Sequence, residues 1–213
     1  QDVLQSDGEG LFDALQGILE HGAVLITTPR SPIIDDKSND ESIVANLAKH
    51  LSGGRLSHGS LYGDVFHVQL MHDANNIAYT SVALPPHQDL TYYESKPFLQ
   101  LLHCARSDVQ GGESILIDAM AAAEELRNLA PDLFEVLCQT DATFVKQREG
   151  ADMVSFKPHI VTDPIDKQVV AFNWSPPFEG PLQIPPHLVD DYILAYQAME
   201  CLLVNHRLES SLT

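Results

Sequence analysis

From about residue 62 onward the chain is cut into short apolar or alternating runs: "DVFHVQLM", "NIAYTSVAL", "FLQLLHC", "SILIDA", "ATFVKQ", "VSFKPHIVT" and "KQVVAFNW". Gly, Pro, Asp or Asn separates each run from the next. Runs of this length between turn formers predict β-strands. Many short strands without a regular strand–helix alternation restrict the fold to a sandwich or a barrel. The expected class is mainly β with flanking helices.

The helices collect at the start and in two insertions. "EGLFDALQGILEHG" sets Leu11, Phe12, Leu15, Ile18 and Leu19 on one predicted helical face, with Gly22 as the stop. "AVLITT" follows as a short buried strand. "NDESIVANLAKHLSGG" predicts a second amphipathic helix, capped by Asn39 or Asp40 and ended by Gly53. "AMAAAEELRNLAPDLFEVLCQ" is helical but broken at Pro131, and "PPHLVDDYILAYQAMECLLVN" is the last long helix. The polar interval "TPRSPIIDDKSNDES" reads as a loop. With 213 residues the chain suits one domain, 1–213, with a helical portion over 1–60 and a β core over 61–213.

Charge excludes one class of function. Twelve Lys and Arg against 30 Asp and Glu leave a net charge of −18, and no basic cluster is present. Phosphate-driven nucleic-acid binding is therefore not expected. No apolar run approaches the roughly 20 residues of a membrane helix, and mean hydropathy is −0.08. The acidic start "QDVLQSDGEG" reads as neither signal nor transit peptide, and without an initiator Met it is expected to be a trimmed end. Cys104, Cys138 and Cys201 lack metal-type spacing; Cys104 and Cys138 sit in apolar runs and are expected to be small core residues. That usage points to a reducing compartment, the cytoplasm or the mitochondrial matrix.

The chemistry-bearing stretch is "ALPPHQDLTYYESKPFLQLLHC". In an extended segment residues i and i+2 share a face, so His87 and Asp89 stand side by side at the expected end of a strand. One imidazole and one carboxylate are two legs of a metal site of mixed N and O donors; two His and one carboxylate leave positions open for substrate and oxygen. "GGESILID" is, by its own residues, a tight turn entering a strand, with Ser114 as a turn residue. Tyr62, Phe66, Tyr79, Tyr92 and Tyr93 suit either a core or, if they converge, a cage for a quaternary ammonium. His103 reads as a core histidine, and His67 and His159 carry no positional signal.

"DANNIAYTSVALPPHQD", "FLQLLHC", "GGESILIDA" and "NWSPPFEGP" occur in this order and at these intervals in the γ-butyrobetaine and trimethyllysine dioxygenases, and over residues 62–181 the chain resembles that family. These are taurine-dioxygenase-like oxygenases that depend on Fe(II) and 2-oxoglutarate. The resemblance implies a double-stranded β-helix, or jelly roll. It implies an enzyme that couples oxidative decarboxylation of 2-oxoglutarate to hydroxylation of a C–H bond, on a small substrate of the trimethylammonium type found in carnitine biosynthesis. It makes His87 and Asp89 the first two iron ligands and sets Ser114 near the 2-oxoglutarate carboxylate. Tyr62, Phe66, Asn76 and Tyr79 fall on the substrate pocket, with Asn173 opposite. Leu90 stands where the butyrobetaine pattern has an aromatic, and Tyr92 takes over that place as in the trimethyllysine branch.

The family's second iron-binding His, in an Asn…His-x-Arg segment, and a following Arg that pairs with 2-oxoglutarate come after the last long helix. His206 lacks those surroundings. The chain is therefore expected to lack the C-terminal strands of the jelly roll and, as it stands, to be inactive and iron-poor. The open edge would favour a homodimer or larger assembly. The alternative function is a catalytically inactive jelly-roll scaffold or binding subunit without the third ligand. Small-molecule substrate and 2-oxoglutarate are the expected partners, with no nucleic acid and no membrane span.

Overall fold

Pro131 has no amide hydrogen to donate and is tolerated only at the first turn of a helix, so the long helical stretch divides there. The computed structural model, which describes residues 3, 8–27, 43–56, 61, 63–68, 83–104, 114–148 and 151–207, has helix α3 over Ala119–Leu129 and helix α4 over Pro131–Gln139. The chain forms two compact units, one from Gln1–Val82 with Pro97–Gly112, the other from Ala83–Lys96 with Glu113–Thr213.

In the first unit, α1 covers Glu9–His21 and α2 covers Ile43–Leu51, and the two lie against each other. Gly22 adopts φ 73°, returns its N–H to the Ile18 carbonyl and ends α1 as expected. Gly53 ends α2 at φ 67°; the expected caps Asn39 and Asp40 lie outside the described residues. The inward stripe of α1 differs from the expected one. Ala14 is buried with Leu11, Leu15 and Ile18 half-buried, a spacing of three and four, whereas Phe12 and Leu19 are exposed. Residues 23–27 are not a strand: the left-handed turn at Gly22 brings Val24 over Gly17, whose missing Cβ would lie 3.5 Å from it. "FLQLLHC" likewise forms no strand, and His103 and Cys104 are exposed rather than core residues. An apolar run becomes a strand only with a ladder partner for its amides, and 98–104 takes no strand pairing.

In the second unit, β1 (Asp141–Arg148) and β2 (Ala151–Pro158) form an antiparallel hairpin with Asp141 opposite Pro158 and Arg148 opposite Ala151. A second antiparallel pair joins β3 (Ile160–Thr162) to β4 (Val169–Phe172), with an irregularity at Val161/Thr162. The expected strand "SILIDA" contributes only single bridge residues at Ser114 and Ile117, because Asp118 already caps α3 by accepting from the Ala121 amide at 2.9 Å. Helix α5 spans Val189–Asn205. Its buried stripe of Tyr192, Ala195, Met199, Leu202 and Leu203 packs with Leu126 of α3, Phe134 and Leu137 of α4, and Ile160, Phe172 and Trp174 around β3 and β4. Thus among the described residues this unit has two small antiparallel sheets, with α3 and α4 over the β3–β4 pair and α5 packed on both helices.

A smaller core fixes the segment of greatest chemical interest. Tyr92 is buried with Ala142 and Phe144 of β1, and Leu90, Tyr93, Met153 and Phe178 close around them. Leu90 holds φ 59°, a left-handed conformation that costs a residue with a Cβ about 1 kcal/mol. That kink turns the chain from Asp89 into the buried Thr91–Tyr92 pair.

Candidate metal centre

The expected neighbours do meet. His87 Nε2 stands 3.4 Å from Asp89 Oδ1. The pair lies in a loop entering a turn rather than at the end of a strand, yet the local backbone is strand-like in one respect: the Gln88 amide donates to the Trp174 carbonyl at 2.7 Å. Pairing of the intervening residue with the chain beyond β4 leaves its two neighbours on a common side.

The imidazole is oriented from behind. His87 Nδ1 lies 2.8 Å from the Pro85 carbonyl, an acceptor only, so Nδ1 carries a proton, and Nε2 faces the Asp89 carboxylate, to which it donates when the ring is charged. A histidine held by a backbone carbonyl in this way is prepared to bind a metal through the other nitrogen. Hydrogen bonding to Asp89 raises the imidazole above its ordinary value; burial opposes this, and the Pro85 carbonyl and the Asp89 charge add to it. Two ligands each about 2.1 Å from an octahedral cation at a right angle stand about 3.0 Å apart. The observed separation needs only a small side-chain adjustment, and the donor set of one imidazole nitrogen and one carboxylate oxygen fits a borderline divalent ion such as Fe(II). Among the described residues no group of three or more His, Cys, Asp and Glu forms a metal-holding cluster. His206 is engaged elsewhere: its Nε2 meets Glu125 Oε2 at 2.5 Å, tying the end of α5 to α3.

Behind the pair runs a continuous chain of hydrogen bonds. Lys96 Nζ donates to Gln88 Oε1 at 3.0 Å, to the Phe172 carbonyl at 2.6 Å and to Asn173 Oδ1 at 3.1 Å. Burial, helped by the nearby Lys157 charge, pushes the Lys96 ammonium down to about 8. Asn173 Nδ2 donates to the Pro158 carbonyl at 2.8 Å. The ring of His159 is wholly buried, donating from Nδ1 to the Asn173 carbonyl and accepting at Nε2 from the Tyr192 hydroxyl, each at 2.7 Å. Burial pushes this histidine down to about 4, against the pull of the Asn173 carbonyl. Lys157 reaches the Tyr93 carbonyl at 2.5 Å from the other side of the loop.

Of the other expected site residues, Ser114 is half-buried, and Phe66 is half-buried in the first unit. Tyr62, Asn76 and Tyr79 lie outside the described residues. Tyr92 meets Tyr93 in a tilted pair at 5.4 Å and Phe178 edge-on at 5.2 Å, with Lys146 Nζ 6.0 Å from its ring centre. Asn173 is buried, its Oδ1 accepting from Lys96 of the loop and its Nδ2 donating to Pro158 of β2. Lys96, His159 and Tyr192 escape sequence reasoning. A lone Lys in "ESKP" carries no period or spacing, and its partners are up to 77 residues away.

Comparison with known proteins adds the family context. The model of the taurine catabolism dioxygenase TauD, TfdA family matches residues 1–205. The dioxygenase str8 of Strobilurus tenacellus is 37% identical over 129 residues, which are 60% of this chain and 30% of that protein. The gamma-butyrobetaine dioxygenase of Pseudomonas sp. (strain AK-1) is 36% identical over 151 residues, 71% of this chain and 38% of the relative. The mitochondrial trimethyllysine dioxygenase of Gallus gallus is 31% identical over 137 residues, 64% of this chain and 30% of the relative. The chain thus spans between 30% and 38% of the length of these curated relatives.

Proposed function

Because the chain belongs to the taurine catabolism dioxygenase TauD, TfdA family, we propose that it is part of an Fe(II)- and 2-oxoglutarate-dependent dioxygenase built on a jelly roll. The observation that carries this reading is the His87–Asp89 pair, 3.4 Å apart, with the imidazole proton held at Nδ1 by Pro85. His87 Nε2 and an Asp89 oxygen hold the iron, which when bound supplies the oxygen chemistry that couples decarboxylation of 2-oxoglutarate to hydroxylation of a C–H bond. The chain's own part is to fix the imidazole tautomer, to present both donors from a loop pinned at Gln88, and to keep Asp89 accessible on the same side. The third ligand is assigned to a residue other than His206, whose Nε2 is committed to Glu125. Ser114 is assigned to the 2-oxoglutarate carboxylate.

The substrate is a small molecule of the trimethylammonium type, γ-butyrobetaine or trimethyllysine, supported by the names of two relatives. Tyr62, Phe66, Asn76, Tyr79, Tyr92 and Asn173 are proposed as substrate-binding residues, a role supported by the family motifs in or beside which they stand. Among the described residues no helix is long and apolar enough to cross a membrane, and a reducing compartment, cytoplasmic or mitochondrial, is proposed for a chain whose three thiols are free. The test is succinate formation from 2-oxoglutarate by the full-length protein, with γ-butyrobetaine and trimethyllysine each supplied. His87→Ala should abolish turnover; turnover at the parent rate in that variant would refute the assignment.

A further inference from the structure

An ammonium taken out of water is costly unless its protons find acceptors. Lys96 sits at the end of the loop that carries His87 and Asp89, where its long side chain could have stayed in solvent. It turns inward instead and spends its protons on three neutral acceptors: Gln88 Oε1, the Phe172 carbonyl and Asn173 Oδ1. Two of these belong to β4 and the residue after it; the third belongs to the residue between His87 and Asp89. The same residue's amide is bonded to the Trp174 carbonyl. Gln88 is thus held at both its backbone and its side chain, and the side-chain hold is Lys96. Hydrogen bonds from an ammonium are about twice as strong as neutral ones, so the side-chain tie adds substantially to the backbone one. Asn173 is in turn held by the bond from its Nδ2 to the Pro158 carbonyl and by its backbone amide, which donates to the His159 carbonyl at 2.8 Å. The ammonium therefore bears on a rigid wall.

We propose that Lys96 is a positioning residue for the metal pair: by clamping Gln88 to β4 it sets the separation and direction of the His87 and Asp89 donors without touching the metal. This rests on the metal reading above. A clamp of this kind acts on affinity, because a loop free to splay its two donors must be ordered when the ion binds. Loss of partners bonded directly to metal ligands typically lowers metal affinity about ten- to a hundredfold; the same range is taken for Lys96, which acts through Gln88.

The experiment is an anaerobic titration of the full-length protein with Co(II) as a spectroscopic stand-in for Fe(II). It compares the parent with Lys96→Met, Gln88→Met, the double variant and His87→Ala, with circular dichroism on each. Lys96→Met should bind Co(II) about ten- to a hundredfold more weakly with secondary structure retained. Gln88→Met should lose a similar factor. The double variant should lose no more than Lys96→Met alone, since Gln88→Met removes only the Lys96–Gln88 bond, which Lys96→Met already lacks. Parent-like Co(II) affinity in Lys96→Met, tighter binding through relief of charge repulsion, or losses that multiply in the double variant would each overturn the clamp. If Lys96→Met does not fold, Gln88→Met decides alone, and parent-like affinity there overturns it. A parent that binds Co(II) while His87→Ala does not keeps the metal reading standing whatever Lys96 does. Equal binding by parent and His87→Ala removes both.

Discussion

Acidification should loosen the second unit through one buried ring. His159 is fully buried and neutral, with both ring nitrogens already bonded. Its folded-state value is pushed from the ordinary 6.5 down to about 4, first by burial. Between those two values the unfolded chain binds a proton that the folded chain does not, so unfolding gains protons and stability falls as pH falls. The stability contributed by the neutral ring is complete above pH 6.5 and is lost progressively toward pH 4. With those values, lowering pH from about 7.5 to about 5 removes about 2 kcal/mol, and the whole window removes about 3 kcal/mol. Trp174, the single tryptophan of the chain, is buried with its ring 5.0 Å from the His159 ring, and so reports this core by fluorescence. Urea unfolding followed at Trp174 should be run on the parent and on His159→Gln, whose amide can donate to the Asn173 carbonyl and accept from Tyr192 without titrating. The variant should be less stable near pH 7.5 because the ring packing is lost. The parent should close on it by about 2 kcal/mol by pH 5. Contributions from other histidines, including His87, whose raised value acts with the opposite sign, cancel in the comparison. Parallel stability curves for the two proteins across this range would refute the argument.

Two further substitutions test the scaffold around the site. Gly180 donates its amide to the Thr143 carbonyl at 2.8 Å, and a Cβ there would stand 2.5 Å from Val145 Cγ2 and 3.3 Å from Thr143 Cγ2. Valine is stiff about χ1, so Gly180→Ala should destabilise by about 1–3 kcal/mol, and an unchanged urea midpoint would show that β1 yields freely. Removing the cap in Asp118→Ala should cost about 1 kcal/mol through the orphaned Ala121 amide, read as a lower melting temperature; a rise would argue that the carboxylate is strained there.

What the sequence alone determined was local. A proline inside a helical run divides α3 from α4, a left-handed glycine ends α1, and residues two apart in an extended stretch bring His87 beside Asp89. Each follows from the geometry of a few consecutive residues. Tertiary structure decided whatever depends on a partner far along the chain. Residues 23–27 of "AVLITT" and the whole of "FLQLLHC" have strand composition but no strand pairing, and burial of His103 and Cys104 failed with it. Conversely, nothing in "ESKP" or "KPHIV" marks Lys96 as the clamp of a loop or His159 as the centre of a buried network. Their hydrogen-bond partners on Phe172, Asn173 and Tyr192 come from β4, the residue after it and α5, and are 14 to 77 residues distant. Hydrogen-bond partners at that range carry no period, because they are selected by which surfaces pack together rather than by the spacing of neighbours along the backbone.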